Sequence, residues 1–494
     1  MDELIYYNAK GNIQDKKHST AFSYLASLHT TKTFHQYRQS PSSNNGSVNL
    51  SIGHGSHLLV ALPEKPIMHV YLYGKESPEQ IIPLPEILTC LTTYKDVNTQ
   101  KPILLLGGSI SGKLYIWSLN SGLLLTVKQA HYQPLTQITS YSGFIATGSQ
   151  DSRIVIYTIN SLFMNLSDNN NNINDKPFAI ITDHTLPITS LIFNKGLNND
   201  IKLISSSLDS TVRIYSLTLS TKVNLITTIV SINPISSLTI DPAFRSIYLG
   251  LNNGQIRCVP LFKANPRTKV IEAIGGLGKI ITLKPDIDYI DTITCHVDQN
   301  KSINEDVSIT QLKISLDGTL LISGDKRGSL FVIDITTKQI RKKLKELVGE
   351  ITNIELWTIK SDDPKFENIT GVDKSLMRSI PVLKRSICEQ KDLINETLTI
   401  NLKNISPIIN DSWDLQSFLN TVQQEEKAFT NFTNVNSATG VNNHNTSGGF
   451  AINIDRKTIK DLKKEVEDKT TAYDELKSKY DTLLAQYTDT ISNQ

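Results

Sequence analysis

One cadence, repeated along the first two thirds of the chain, constrains the fold more than any other feature. A small-residue turn leads into a short strand-like run that closes on an apolar, usually aromatic, residue. The best copies read GGSISGKLYIW (107–117), TGSQDSRIVIY (147–157) and SSSLDSTVRIY (205–215). GLNNGQIRCV (250–259) and GDKRGSLFVI (324–333) are weaker, and EKPIMHVY (64–71) is the faintest. Tyr71, Trp117, Tyr157, Tyr215, Val259 and Ile333 fill the closing slot, at successive spacings of 46, 40, 58, 44 and 74 residues. A period of roughly 40–45 residues with this pattern marks the four-stranded blades of a β-propeller. The two long spacings are what insertions between strands produce.

Within each copy the pattern resolves into strands. LTQITSY alternates, GFIATGS follows, and SRIVIYTI comes third, separated by Gly, Ser, Asp and Asn residues that suit tight antiparallel turns. One blade cannot bury both its faces, so blades must stack around an axis. Six copies fall between about residues 48 and 348, and a seventh begins at EITNIELWTI (350–359). Its missing strands are expected from the N-terminus, from DELIYYN (2–8) and AFSYLASLH (21–29). Pairing the two chain ends removes the open sheet edges of an unclosed ring. The expected fold is all-β: a seven-bladed WD-repeat β-propeller over residues 1–360, with a C-terminal α-helical coiled-coil segment.

Three stretches interrupt the cadence. NLSDNNNNINDK (165–176) is a polar tract that reads as an insertion, and residues 263–307 account for the widest spacing. Beyond 360 the blades stop: 361–433 is an irregular or helical extension with a short helix expected at 412–429 behind Ser412, and 434–453 is a flexible linker. Residues 454–494 carry heptads. Ile459, Val466, Tyr473, Tyr480 and Tyr487 fall at a; Leu462, Leu476 and Leu483 fall at d, where Lys469 and Thr490 break the seam. This seam is expected to self-associate and make a homodimer; the alternative is one amphipathic helix packed on its own propeller.

Composition excludes several classes. The net charge is +2 over 494 residues, with no basic stripe of the kind that holds nucleic acid by electrostatics, so RNA contact is expected to be indirect or minor. Cys90, Cys258, Cys295 and Cys388 lie far apart with no metal spacing. No apolar run approaches the roughly 20 residues of a membrane span, and MDELIYYNAKG lacks the apolar core of a signal peptide, so an intracellular protein without membrane contact is expected.

The polar residues that stand out are His131 with Asp151 and His184 with Asp209. Each His precedes the step from one blade to the next, and each Asp sits in a turn of the following copy. In WD propellers such a pair joins a Ser or Thr and the closing aromatic in one hydrogen-bonded network. The partners here are Thr147 or Ser149 with Tyr157, and Ser205 or Ser207 with Tyr215; Trp117 is the closing aromatic of the copy before them. Buried polar groups must find partners, and a satisfied network stiffens the blade. A hydrolase triad is the rival reading, but no nucleophile elbow accompanies it. Lys65, Ser111, Asn253 and Arg327 occupy the turn-Asp slot of the other four copies, which predicts weaker networks there. GGLGK (275–279) lacks phosphate-loop spacing, and His54 and His57 lack a third metal ligand. RKKLK (341–345) reads as a solvated loop, with RNA phosphate or an acidic partner as the alternative. Neither catalytic residues, nor a cofactor, nor a metal is expected.

QAHYQPLTQI (129–138) and DHTLPITSLIF (183–193), followed by SSSLDSTVRIYSL (205–217), resemble the WD-repeat subunit of the Rix-type pre-ribosomal complex, the Ipi-type family. The likeness is densest over residues 100–220, and the plan of propeller, linker and terminal helix extends it along nearly the whole chain. The resemblance implies a non-catalytic scaffold in the nucleus (nucleolus and nucleoplasm) on precursors of the large ribosomal subunit. It further implies two helical-repeat partner subunits, processing at the second internal transcribed spacer, and recruitment of a midasin-type AAA ATPase. A WD-repeat adaptor elsewhere, such as a ubiquitin ligase substrate receptor, is the alternative.

Overall fold

Seven blade sheets, each built on four antiparallel strands, succeed one another around a central channel in the computed structural model of the chain. It describes residues 2–52, 55–95, 102–164, 176–194, 201–218, 221–264, 271–276, 278–283, 292–296, 307–359 and 380–388, with Thr471 and Lys479 beyond them. From the channel outward, blade 1 comprises Ser47–Ile52, Gly55–Ala61, Ile67–Leu72 and Gln80–Pro83. Blade 2 comprises Leu88–Lys95, Pro102–Ser109, Lys113–Ser118 and Leu124–Gln129. Blade 3 runs from Leu135–Tyr141 to Ala179–Ile181, blade 4 from Ile188–Asn194 to Thr221–Val230, and blade 5 from Ile235–Ile240 to Thr292–Ile293. Blade 6 runs from Ile309–Ile314 to Ile340–Lys343.

Blade 7 is built from both ends of the chain. Ile351–Ile359 is its innermost strand, and Asp2–Ala9, Phe22–Ser27 and Thr33–Arg38 follow outward. Asp2–Ala9 is paired antiparallel on both sides, with Tyr6 opposite Leu25 on one strand and Glu355 on the other. Seven apolar clusters fill the blade interfaces, one for each neighbouring pair, which is the signature of a closed ring. The cluster between blades 7 and 1 is the aromatic one. Tyr37 packs edge-on to Tyr71 at 5.5 Å and to Tyr6 at 6.4 Å, and Tyr73 meets Trp357 at 6.1 Å.

The 263–307 stretch contributes more than a loop. It supplies the outermost strand of blade 5, a small hairpin (Phe262–Ala264 with Ile271–Ala273), and Lys279–Thr282, which pairs parallel to the outer strand of blade 4. GGLGK therefore leads into a fifth strand of that blade, with the Gly276 amide 3.4 Å from Thr227 Oγ1.

Residues 380–388 return to the ring after the last blade strand. Ile380 and Leu383 are buried in the cluster between blades 1 and 2. The Lys384 amide donates to Gly122 O and the Cys388 amide to Leu124 O, and Ile387 bridges Leu124 in parallel. This strap lies along the outer strand of blade 2. The Asn tract, the 412–429 helix, the linker and the heptad seam from Ile459 to Tyr487 lie outside the described residues; Thr471 and Lys479, inside the heptads, are helical and exposed.

Candidate functional site: the loop face of the ring

Inner strands all begin at one end of the channel, and there the connections from each outer strand to the next blade meet the turns between second and third strands. Asn45, Pro134, Pro187 and Gln311 line the mouth at this end. The opposite mouth is a cavity of ≈ 680 Å³ lined by the far ends of the inner strands, including Lys95, Lys313 and Glu355.

Beneath the loop face, His131 and His184 lock their connections to the next blade. His131 Nδ1 lies 3.1 Å from Asp151 Oδ2, and its Nε2 lies 2.9 Å from Thr147 Oγ1. His184 Nδ1 lies 2.9 Å from Asp209 Oδ2, and its Nε2 lies 2.8 Å from Ser205 Oγ. A carboxylate only accepts, so the neutral ring carries its proton on Nδ1 and accepts at Nε2 from the hydroxyl. Burial lowers the His131 pKa and so favours that neutral form, with Asp151 opposing the shift. Burial works against ionisation of Asp209, but hydrogen bonds from His184 and Thr211 hold its carboxyl well below the usual range.

Thr147 and Ser205 are thus the hydroxyl partners. Ser149 and Ser207 do a different job, donating to Pro134 O and Leu186 O in the incoming connections. Thr147 and Ser205 are both fully buried, so no substrate carbonyl reaches either hydroxyl as a triad would require. The closing aromatics point to other partners. Tyr215 donates to Asp183 at 3.0 Å, Trp117 Nε1 donates to Lys384 O at 3.0 Å, and Tyr157 is buried in the layer between blades 2 and 3.

A third network went unforeseen. His296 Nδ1 lies 3.2 Å from Asp325 Oδ2 and its Nε2 lies 2.7 Å from Ser323 Oγ. Arg327 does hold the expected turn position in blade 6, but the expectation of a weak network there is wrong, because the acid sits two residues earlier. Blade 2 uses other chemistry. Ser111 and Lys113 both donate to Glu86, the latter at 2.6 Å, and these bonds outweigh burial to hold the Glu86 carboxyl below its usual range.

The remaining motifs resolve simply. Burial lowers the pKa of His57, and its Nδ1 meets no protein partner; His54 lies outside the described residues. Among the described residues no group of three His, Cys, Asp or Glu side chains is placed to hold a metal. RKKLK is no free loop. Arg341 pairs with Asp334 at 2.8 Å, Lys342 reaches His29 O, Lys343 pairs with Glu346, and Lys345 lies 4.4 Å from the Tyr24 ring centre.

Truncating the acid of any network leaves buried partners unsatisfied. Asp151→Ala, Asp209→Ala and Asp325→Ala are each expected to lower the unfolding free energy by about 1–3 kcal/mol. His131→Ala and Asp151→Ala are expected to combine non-additively in a double-mutant cycle followed by denaturant melts. Unchanged melts for all three acids would remove the locking role.

A closed ring whose connections are pinned by His, Asp and Ser or Thr defines a WD-repeat propeller, and the WD domain, G-beta repeat family model matches residues 175–216. The chain belongs to the family of the pre-rRNA-processing protein IPI3. It is 36% identical to that protein of Candida albicans over 99% of this chain and 98% of the relative. Identity is also 36% to that of Scheffersomyces stipitis, over 100% of both. The Schizosaccharomyces pombe pre-rRNA-processing protein crb3/ipi3 is 30% identical over 74% of this chain and 78% of its own length.

Proposed function

We propose that this chain is a non-catalytic scaffold subunit in pre-rRNA processing and large-subunit maturation, working in the nucleolus and nucleoplasm. The observation that carries the reading is similarity along the whole chain, composite blade and C-terminal segment included, to relatives named for pre-rRNA processing. A propeller supplies a rigid ring with many loops on one face, which suits simultaneous contact with several proteins. The resemblance of residues 129–138 and 183–217 to the Ipi-type family adds finer roles. These are assembly with two helical-repeat subunits, processing at the second internal transcribed spacer, and help in recruiting a midasin-type AAA ATPase. Depleting the protein is expected to accumulate precursors that retain that spacer, read by hybridisation. Tagged full-length chain is expected to bring down pre-large-subunit particles. Normal spacer removal, with a ubiquitin ligase core as the main companion, would replace this reading with the adaptor one.

The heptads from Ile459 to Tyr487 are proposed to join two copies of the chain. Nearly five heptads exceed the length at which isolated helices are marginal, and two propellers per assembly would gain avidity for a shared partner. Sedimentation at tens of micromolar is expected to give twice the chain mass for the full chain and a monomer for a chain ending at residue 450. Monomers in both cases would assign the helix to another subunit.

A further inference from the structure

Three loops of blades 6 and 7 merge into one surface on the loop face. Residues 10–21 join the second and third strands of blade 7, 326–329 make the equivalent turn of blade 6, and 344–350 connect the two blades. The Lys10 amide donates to Glu350 O at 2.9 Å. A Cβ on Gly349 would fall 2.6 Å from Gly11 O, and one on Gly328 would fall 2.1 Å from Leu347 O. Both glycines have positive φ, so close backbone approach and the left-handed turn both demand them.

These loops carry six basic residues, Lys10, Lys16, Lys17, Lys326, Arg327 and Lys345, against three acids. Each acid is engaged locally: Asp15 by Ser19 and Thr20, Glu346 by Lys343, and Glu350 by Asn44. Amid this positive field two aliphatic side chains face water, Ile13 at 69% exposure and Val348 at 51%. Exposed apolar residues continue around the same face at Ile110, Tyr132, Leu186 and Ile232. Phosphate would satisfy the lysines but would leave Ile13 and Val348 in water. A protein segment that carries both acidic and apolar side chains satisfies both.

We propose that the surface of residues 10–21, 326–329 and 344–350 docks an acidic segment of a partner protein, its carboxylates on the lysines and its apolar side chains on Ile13 and Val348. The test uses the native assembly purified through tagged full-length chain and treated with a carbodiimide, which joins lysine amines directly to carboxylates they touch. Lys16, Lys17 and Lys345 are expected to join Asp or Glu residues of another protein, in a stretch that also holds apolar residues. Reversing the three charges together (K16E, K17E, K345E) is expected to lower recovery of that protein by about tenfold at physiological salt, since each rim pair contributes modestly. K16E and K17E, at exposed positions, are expected to leave thermal unfolding unchanged and to lower recovery on their own, whereas K345E also gives up the contact with the Tyr24 ring. I13D is expected to lower recovery independently of charge pairing. The proposal is overturned if the lysines join only carboxylates of this chain or its second copy, or join none. It is equally overturned if ultraviolet light cross-links these loops to RNA, or if recovery is unaffected by reversal. None of these outcomes bears on a role in pre-rRNA processing.

Discussion

Replacing Trp117 by alanine is expected to lower the unfolding free energy by about 3–5 kcal/mol, the range for deleting a fully buried aromatic side chain. The indole is entirely buried, stacks on Tyr115 with ring centres 5.5 Å apart, and sits in the cluster shared by blades 1 and 2. Its Nε1 also donates to Lys384 O. The loss should therefore reach the strap, whose Ile380 and Leu383 close the same cluster. Trp117→Phe separates the two effects, because it keeps most of the packing and removes the donor. Hydrogen exchange at the Lys384 and Cys388 amides should rise in both variants, while the melt should fall far more in the alanine one. Unchanged exchange at those amides in Trp117→Ala would show that the strap holds without the indole.

Trp117 also shows where sequence reasoning reached and where it ended. Its slot in the blade cadence was legible, because alternation of period two and turn residues are local properties of every copy. Its partner was not. Lys384 lies 267 residues away, and the accepting group is a backbone carbonyl, which any residue supplies. The strap itself offers only Ile380 and Leu383 as buried anchors, too few to show a period. His131 and His184 were legible because each stands four residues before its inner strand, at Leu135 and Ile188. His296 stands thirteen residues before Ile309, and its acid is displaced from the slot of Arg327 to Asp325, so neither half of that pair kept its phase. A search for any His upstream of the strand, paired with an acid anywhere in the next turn, would have found it. Strand Thr33–Arg38 escaped for a related reason: its burial pattern is largely intermediate, as suits an outermost strand with one wet face.

Removing residues 1–38 is expected to abolish soluble, folded protein. Three of the four strands of blade 7 would go, leaving Ile351–Ile359 with no partner in its own sheet. Leu4, Ile5, Tyr6, Tyr7, Tyr24, Leu25 and Tyr37 are all buried in the two clusters that flank this blade. At about 2 kcal/mol for each large apolar side chain, the burial lost rivals the 5–15 kcal/mol by which a whole domain is stable. Deletion also bares the flanks of blades 6 and 1, together with strand edges open to pairing with other chains. The consequence should be aggregation rather than a looser ring. Residues 39–46 connect blade 7 to blade 1 outside the strands. Ser40 and Ser42 in this connection are fully buried and bonded to Ser23, Asn8 and Thr352, so a break should be tolerated only beyond them, next to half-buried Ser43 and exposed Asn44. Residues 1–42 supplied as a separate polypeptide during expression should pair with Ile351–Ile359 and restore solubility to a chain that begins at residue 43. Tyr37→Ala tests the seam without breaking the chain: Tyr37 meets Tyr6, Tyr71 and Tyr73 together, so the expected loss is again about 3–5 kcal/mol. A soluble, cooperatively melting protein that begins at residue 39, with an unshifted midpoint, would mean that the ring closes without its N-terminal strands.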